Sequence, residues 1–146
     1  RVALRPQGAE EAGGDAVSPN GAREGDASAS AILDARRELD GVRVDEKIQD
    51  YVVNLVFATR EPAAAGLPEL KKLLEFGTSP RATIFLTRAS RALAYLKGRD
   101  YVLPDDVKAV AFPVLRHRLR TTYEADAKGI DPEEIIRRLL ATVPSP

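Results

Sequence analysis

The sequence predicts a mainly α-helical fold, a small bundle with one or two short strand segments behind a disordered N-terminal tail. Three observations carry this prediction. Apolar residues recur at helical spacing around Ile48–Val56, Ala82–Leu96 and Ile135–Leu140. Asp or Ser–Pro signals open these stretches, and Gly or Pro closes the first two. Residues 1–30 carry no aromatic side chain, and their larger aliphatics are Val2, Leu4 and Val17. So little apolar surface does not offset an ordering cost of about 1–2 kcal/mol per residue.

Residues 1–30 are therefore expected to be a tail or linker, and residues 31–146 the folded domain. Ala31–Leu39 makes a short helix, with Ile32, Leu33, Arg36 and Leu39 on neighbouring turns. Gly41–Val44 reads as extended, because β-branched and polar residues alternate there. Asp45 caps a helix through Thr59 whose buried stripe is Ile48, Tyr51, Val52, Leu55 and Val56. Pro62 ends it by disfavouring helical geometry in the residue before it. After a loop at Ala63–Gly66, Leu67–Phe76 adds a helical turn or two, stopped by Gly77.

The central helix is expected over Pro80–Lys97. Ser79 is its cap, and Pro80 takes the first position, where no N–H is missed. Its buried face is read as Ala82, Phe85, Leu86, Ala89, Ala92, Leu93 and Leu96. Gly98 stops it, Arg99–Leu103 is extended, and Pro104–Ala111 is helical, with Asp105 and Asp106 suited to its first turn. A kink or restart is expected at Pro113. Arg116–Thr122 reads as extended. Asp131, Pro132 and Glu134 mark the start of a last helix that buries Ile135, Ile136, Leu139 and Leu140.

Composition excludes several classes of function. The chain of 146 residues balances 22 basic against 22 acidic residues, so no general field draws it to nucleic acid or an anionic membrane. There is no Cys and one His, which removes disulfides, thiol chemistry and multi-histidine metal sites. The lack of Cys also fits a reducing, cytoplasmic setting. No apolar run approaches the roughly 20 residues of a membrane span. The chain begins at Arg1 with no signal-like stretch, which suggests a piece of something longer.

Catalytic motifs are absent as well. The sequence contains no phosphate-binding loop, G-x-G-x-x-G, G-x-S-x-G or H-E-x-x-H. Asp105 and Asp106 are explained by capping. His117, between Arg116 and Arg118, reads as a surface histidine. No catalytic residue and no metal ligand is assigned. Arg81 is the odd residue, because the helix dipole disfavours a cation in a first turn by roughly 0.3–1 kcal/mol. Two readings fit it: a solvated arginine with a partner such as Glu75, or an arginine reaching an anion outside this chain. Arg88, Arg91, Arg99 and the Arg116–Arg120 cluster are either a solvated face or a basic surface for phosphates.

A series of ordered blocks narrows these alternatives. Val44-Asp45 precedes Tyr51-Val52 and Leu55-Val56-Phe57-Ala58-Thr59-Arg60. Then come Gly77-Thr78-Ser79-Pro80-Arg81-Ala82, Gly98-Arg99-Asp100-Tyr101-Val102 and Pro104-Asp105-Asp106-Val107. Val114-Leu115-Arg116-His117-Arg118-Leu119 and Val143-Pro144 close the series. Together they resemble the C-terminal lid domain of MoxR-family AAA+ ATPases, from about Ile32 to Pro146. The resemblance implies a lid-type helical bundle and places the sensor-2 arginine on Arg81, with Ser79 and Pro80 positioning it. It implies ATP and Mg²⁺ as cofactors of an intact parent, bound by a core domain, with none expected for this chain alone. It further implies a hexameric, chaperone-like parent acting on partner proteins, among them von Willebrand A domain proteins. This chain by itself is expected not to hydrolyse ATP. The rival readings are a nucleic-acid-binding helical module and a protein adaptor with no nucleotide role.

Overall fold

The computed structural model describes residues 28–146. The tail expected at 1–30 therefore lies almost wholly outside the described residues. The chain divides at Ala35, and the larger compact unit runs from Arg36 to Pro146. The first helix, α1 (Ala29–Glu38), buries no residue, and Ile32 and Leu33 are exposed on it.

Asp45 caps α2 (Glu46–Arg60), its Oδ1 accepting the Lys47 N–H at 2.9 Å. All five residues of the expected stripe are buried, and Ala58 and Thr59 join them at the last turn. The helix ends at Arg60, with Glu61 as its C-cap just ahead of Pro62.

The next stretch departs from expectation. Pro68–Lys72 forms a 3-10 turn, and Leu74–Phe76 is a strand, β1, rather than helix. It pairs antiparallel with β2 (Arg120–Thr121). The backbone hydrogen bonds of the stretch go to a segment more than forty residues away, which local spacing does not reveal.

The central helix, α3, runs from Ala82 to Leu96. Its buried line is Ala82, Leu86, Ser90 and Ala94, one residue per turn. Phe85 and Leu96, both expected inside, are 43% and 80% exposed. Three of the four inward residues are small, which lets α4 (Pro104–Leu115) lie close across the helix in its most extensive packing. Gly98 closes α3 at φ +71°, the left-handed geometry that glycine adopts without steric cost. The Gly98 N–H reaches Tyr95 O at 2.8 Å and the Arg99 N–H reaches Ala94 O at 2.9 Å, the paired bonds of a Schellman motif. Beyond the turn, the Arg43 N–H donates to Asp100 O and the Val102 N–H to Arg43 O, a short parallel bridge.

The helix α4 runs through Pro113 without the restart that was one of the two outcomes expected there. Pro113 and Ala109 are both exposed, so the lost backbone bond falls where water can replace it. Arg116–Arg118 turn rather than extend, leaving β2 as a two-residue strand. A short helix, α5 (Tyr123–Ala127), follows where none was expected, capped by Thr122 Oγ1 accepting from the Ala125 N–H at 3.3 Å.

The last helix, α6 (Pro132–Thr142), starts as its sequence indicates and buries Ile135, Ile136 and Leu139. Asp131 Oδ1 accepts the Glu134 N–H at 2.7 Å. The Glu134 carboxylate does not return the bond; it pairs with Arg137 and Arg138. Asp131→Ala is expected to cost about 1 kcal/mol in chemical denaturation, the usual worth of one such cap.

Candidate functional site

The site is built where α2 ends and α3 begins. Gly77 and Thr78 lie against the last turn of α2. A Cβ on Gly77 would stand 2.2 Å from Thr59 O, so only glycine fits that approach. Thr78 is fully buried, and its N–H donates to Thr59 Oγ1 at 3.0 Å. The two hydroxyls are also 3.0 Å apart, and Arg60 Nη1 reaches Thr78 O at 3.2 Å.

Ser79, Pro80 and Arg81 then project from this anchor and are all exposed. They form a tight turn ahead of α3, so regular helix begins at Ala82 rather than Pro80. The cap position falls on Arg81 rather than on Ser79 and has no side-chain cap bond; within the turn, Ser79 Oγ accepts the Arg81 N–H at 3.3 Å and its carbonyl accepts the Ala82 N–H at 2.8 Å. Arg81 sits at φ −61° and ψ −17°. Its guanidinium makes no hydrogen bond or ion pair among the described residues. The partner suggested for it, Glu75, instead pairs with Arg120 at 2.9 Å. Val53 and Phe57 on α2 and Ile84 on α3 are exposed.

Most of the other basic residues are committed elsewhere. Arg116 pairs with Glu133 at 3.3 Å. Arg118 donates to Val114 O at 2.6 Å, contacts the exposed His117, and lies 4.7 Å over the Phe85 ring. Each arginine of the Arg116–Arg120 cluster, with Arg120 on Glu75, therefore has a partner within the chain. Arg91 lies 4.0 Å from Asp40. Arg88 and Arg91 line a groove with Thr83, Ile84 and Thr87, which Arg81 does not enter.

Of the two first-turn aspartates, Asp105 is exposed and faces Lys108 at 3.6 Å. Asp106 is only 1% exposed. Burial by itself would raise its pKa. The Arg99 fork at 2.7 Å to each oxygen, the Leu103 N–H and the Lys97 ammonium overcome that and hold it at about 2, below the usual 3.8. Capping was legible for Asp106, but its role as the anchor of the α3–α4 turn was not. Thr59 and Thr78 were missed as well. No local pattern marks two threonines 19 positions apart, although Thr78 lies inside the block that carries Arg81. Among the described residues no group of three or more His, Asp or Glu side chains is placed to hold a metal ion. No described helix is long and apolar enough to cross a membrane.

The family that this small helical bundle matches is the AAA lid domain, over residues 70–139. Chaperone MoxR1 of Mycobacterium tuberculosis is 50% identical over 103 residues, covering 70% of this chain and 27% of that protein. Protein MoxR of Paracoccus denitrificans is 40% identical over 112 residues, covering 73% of this chain and 33% of that protein. A crystal structure from Cytophaga hutchinsonii, of a protein proposed to be an ATPase, superposes with a TM-score of 0.76 at 42% identity. That match covers 79% of this chain and 35% of the other. The chain belongs to the MoxR family of AAA+ proteins, as a lid domain. It spans between a quarter and a third of the length of the MoxR relatives it matches.

Proposed function

We propose that this lid serves a MoxR-like AAA+ ATPase by carrying Arg81 to the terminal phosphate of ATP held on a core domain. The observation behind this is the unpaired, exposed guanidinium on a buried anchor. A cation kept at a helix N-terminus is disfavoured by its own helix, and a phosphoryl oxygen reverses that balance through a charge-assisted hydrogen bond. The same contact stabilises charge that develops during phosphoryl transfer. The exposed Val53, Phe57 and Ile84 suit a chain that meets other protein surfaces.

ATP supplies the phosphoryl group and Mg²⁺ neutralises its charge when bound; this chain's own part is to present the arginine and to move with the nucleotide state. The parent is then a ring-forming, chaperone-like ATPase of the cytoplasm, working with neighbouring subunits and with partner proteins such as those carrying von Willebrand A domains. Arg81→Ala in the full-length parent is expected to lower ATP turnover at least about tenfold. The isolated lid should keep its thermal melt within roughly 0.5 kcal/mol, as an exposed substitution normally does. Unchanged turnover would sink the assignment.

A further inference from the structure

We infer that Thr59 is a positioning residue for Arg81: through Thr78 it fixes the arginine-bearing turn to the end of α2. The inference rests on the phosphate-contacting role proposed for Arg81. A threonine hydroxyl has one proton and two lone pairs, and all three are used at Thr59. It donates to Val56 O at 2.7 Å, so the 3.0 Å bond between the two hydroxyls must take its proton from Thr78. The Thr78 N–H fills the second lone pair. Both residues are buried, at 1% and 0% exposure, so no solvent competes for these bonds. Arg60 holds the Thr78 carbonyl from the same helix turn.

The arm between this anchor and Arg81 is short and stiff. It comprises Ser79 and Pro80, the second with its φ fixed by the ring. Ser79 ties the Arg81 N–H, and Pro80 O accepts both the N–H and the hydroxyl of Thr83, at 3.1 and 2.8 Å. A displacement of α2 relative to α3 is thus delivered to the arginine with little slack. A pair serving stability alone would not need its stiff side to end in an unpaired cation.

The test is a double-mutant cycle in the full-length parent, with ATP turnover measured at saturating ATP. Thr59→Val keeps the shape and removes the hydroxyl; Thr59→Ser keeps the hydroxyl. Thr59→Val is expected to lower kcat roughly 10- to 100-fold, the usual consequence of misplacing a reacting group by about 1 Å. Thr59→Ser should retain most activity. In an Arg81→Ala background, Thr59→Val should lower kcat no further, because the residue it positions is gone. An equal fold-loss in both backgrounds, or no loss in a folded Thr59→Val protein, overturns the inference while leaving the role of Arg81 standing. If Arg81→Ala alone leaves turnover unchanged, the phosphate reading fails and takes this one with it. Should Thr59→Val not fold, Thr78→Val completes the same cycle, since it removes one hydroxyl and keeps the Thr78 N–H bond.

Discussion

Gly77→Ala is expected to unfold this domain at a markedly lower temperature than the parent sequence. The added methyl would stand 2.2 Å from Thr59 O, 2.6 Å from Thr59 C and 2.8 Å from Arg60 Cα. All three are backbone atoms in the last turn of a helix, so no flexible side chain can swing aside. The strain is purely one of space, because the left-handed glycines among the described residues are Gly66, Gly98 and Gly129. To admit the methyl, the loop must lift from α2. That breaks the Thr78 N–H bond to Thr59 and the Arg60 bond to Thr78 O, leaving buried polar groups unpaired. Overpacking costs about 1–3 kcal/mol and each orphaned buried group about as much again, so a loss of roughly 3 kcal/mol or more is expected. For a domain of this size that is a fall in Tm of order 10 °C, read by circular dichroism. An unchanged melt would show that the loop leaves α2 at no cost, and the anchor described above would not exist.

The fate of Gly77 shows where sequence reading stops. As a letter it reads as the stop of a helical stretch, yet it follows the strand β1. Its stringent role is set by a backbone 18 positions earlier, which no local pattern records. The same limit explains β1, whose partner lies beyond residue 119, and the buried Thr59–Thr78 pair. What was legible was local. The α2 stripe, the Asp131 cap and the oddity of Arg81 each arise within one or two helical turns, where spacing and capping rules apply directly. On α3 those rules placed the helix and the inward Ala82 and Leu86, but also put Phe85 and Leu96 inside and left Ser90 out. Phe85 is apolar yet lies under the Arg118 guanidinium, while Ser90 is polar yet faces inward. Small residues at three of the four inward positions suit the close packing of α4 on this helix, a demand of packing and not of periodicity.

Asp106→Ala is expected to be the most damaging single change outside the Gly77 anchor. The carboxylate accepts from Arg99 at both oxygens, from Lys97, and from the Leu103 N–H that opens α4. Its removal leaves Arg99, itself mostly covered, without a counter-charge, and α4 without its N-terminal acceptor. Breaking a buried pair on one side typically costs about 3–5 kcal/mol. The same site sets a pH dependence. Its folded pKa of about 2 lies below the ordinary 3.8, so the unfolded chain takes up this proton first as pH falls. The stabilisation is therefore complete above about pH 5 and is lost as pH drops through 3.8 towards 2. At about 1.4 kcal/mol per pKa unit it amounts to roughly 2 kcal/mol. Asp106→Asn keeps the shape without the titration. Urea melts of the two proteins between pH 6 and pH 2.5 should start well apart and converge as acid neutralises Asp106 in the parent sequence. Parallel pH profiles would mean that the carboxylate is not held ionised by Arg99 and Lys97, and that the α3–α4 turn is anchored by packing alone.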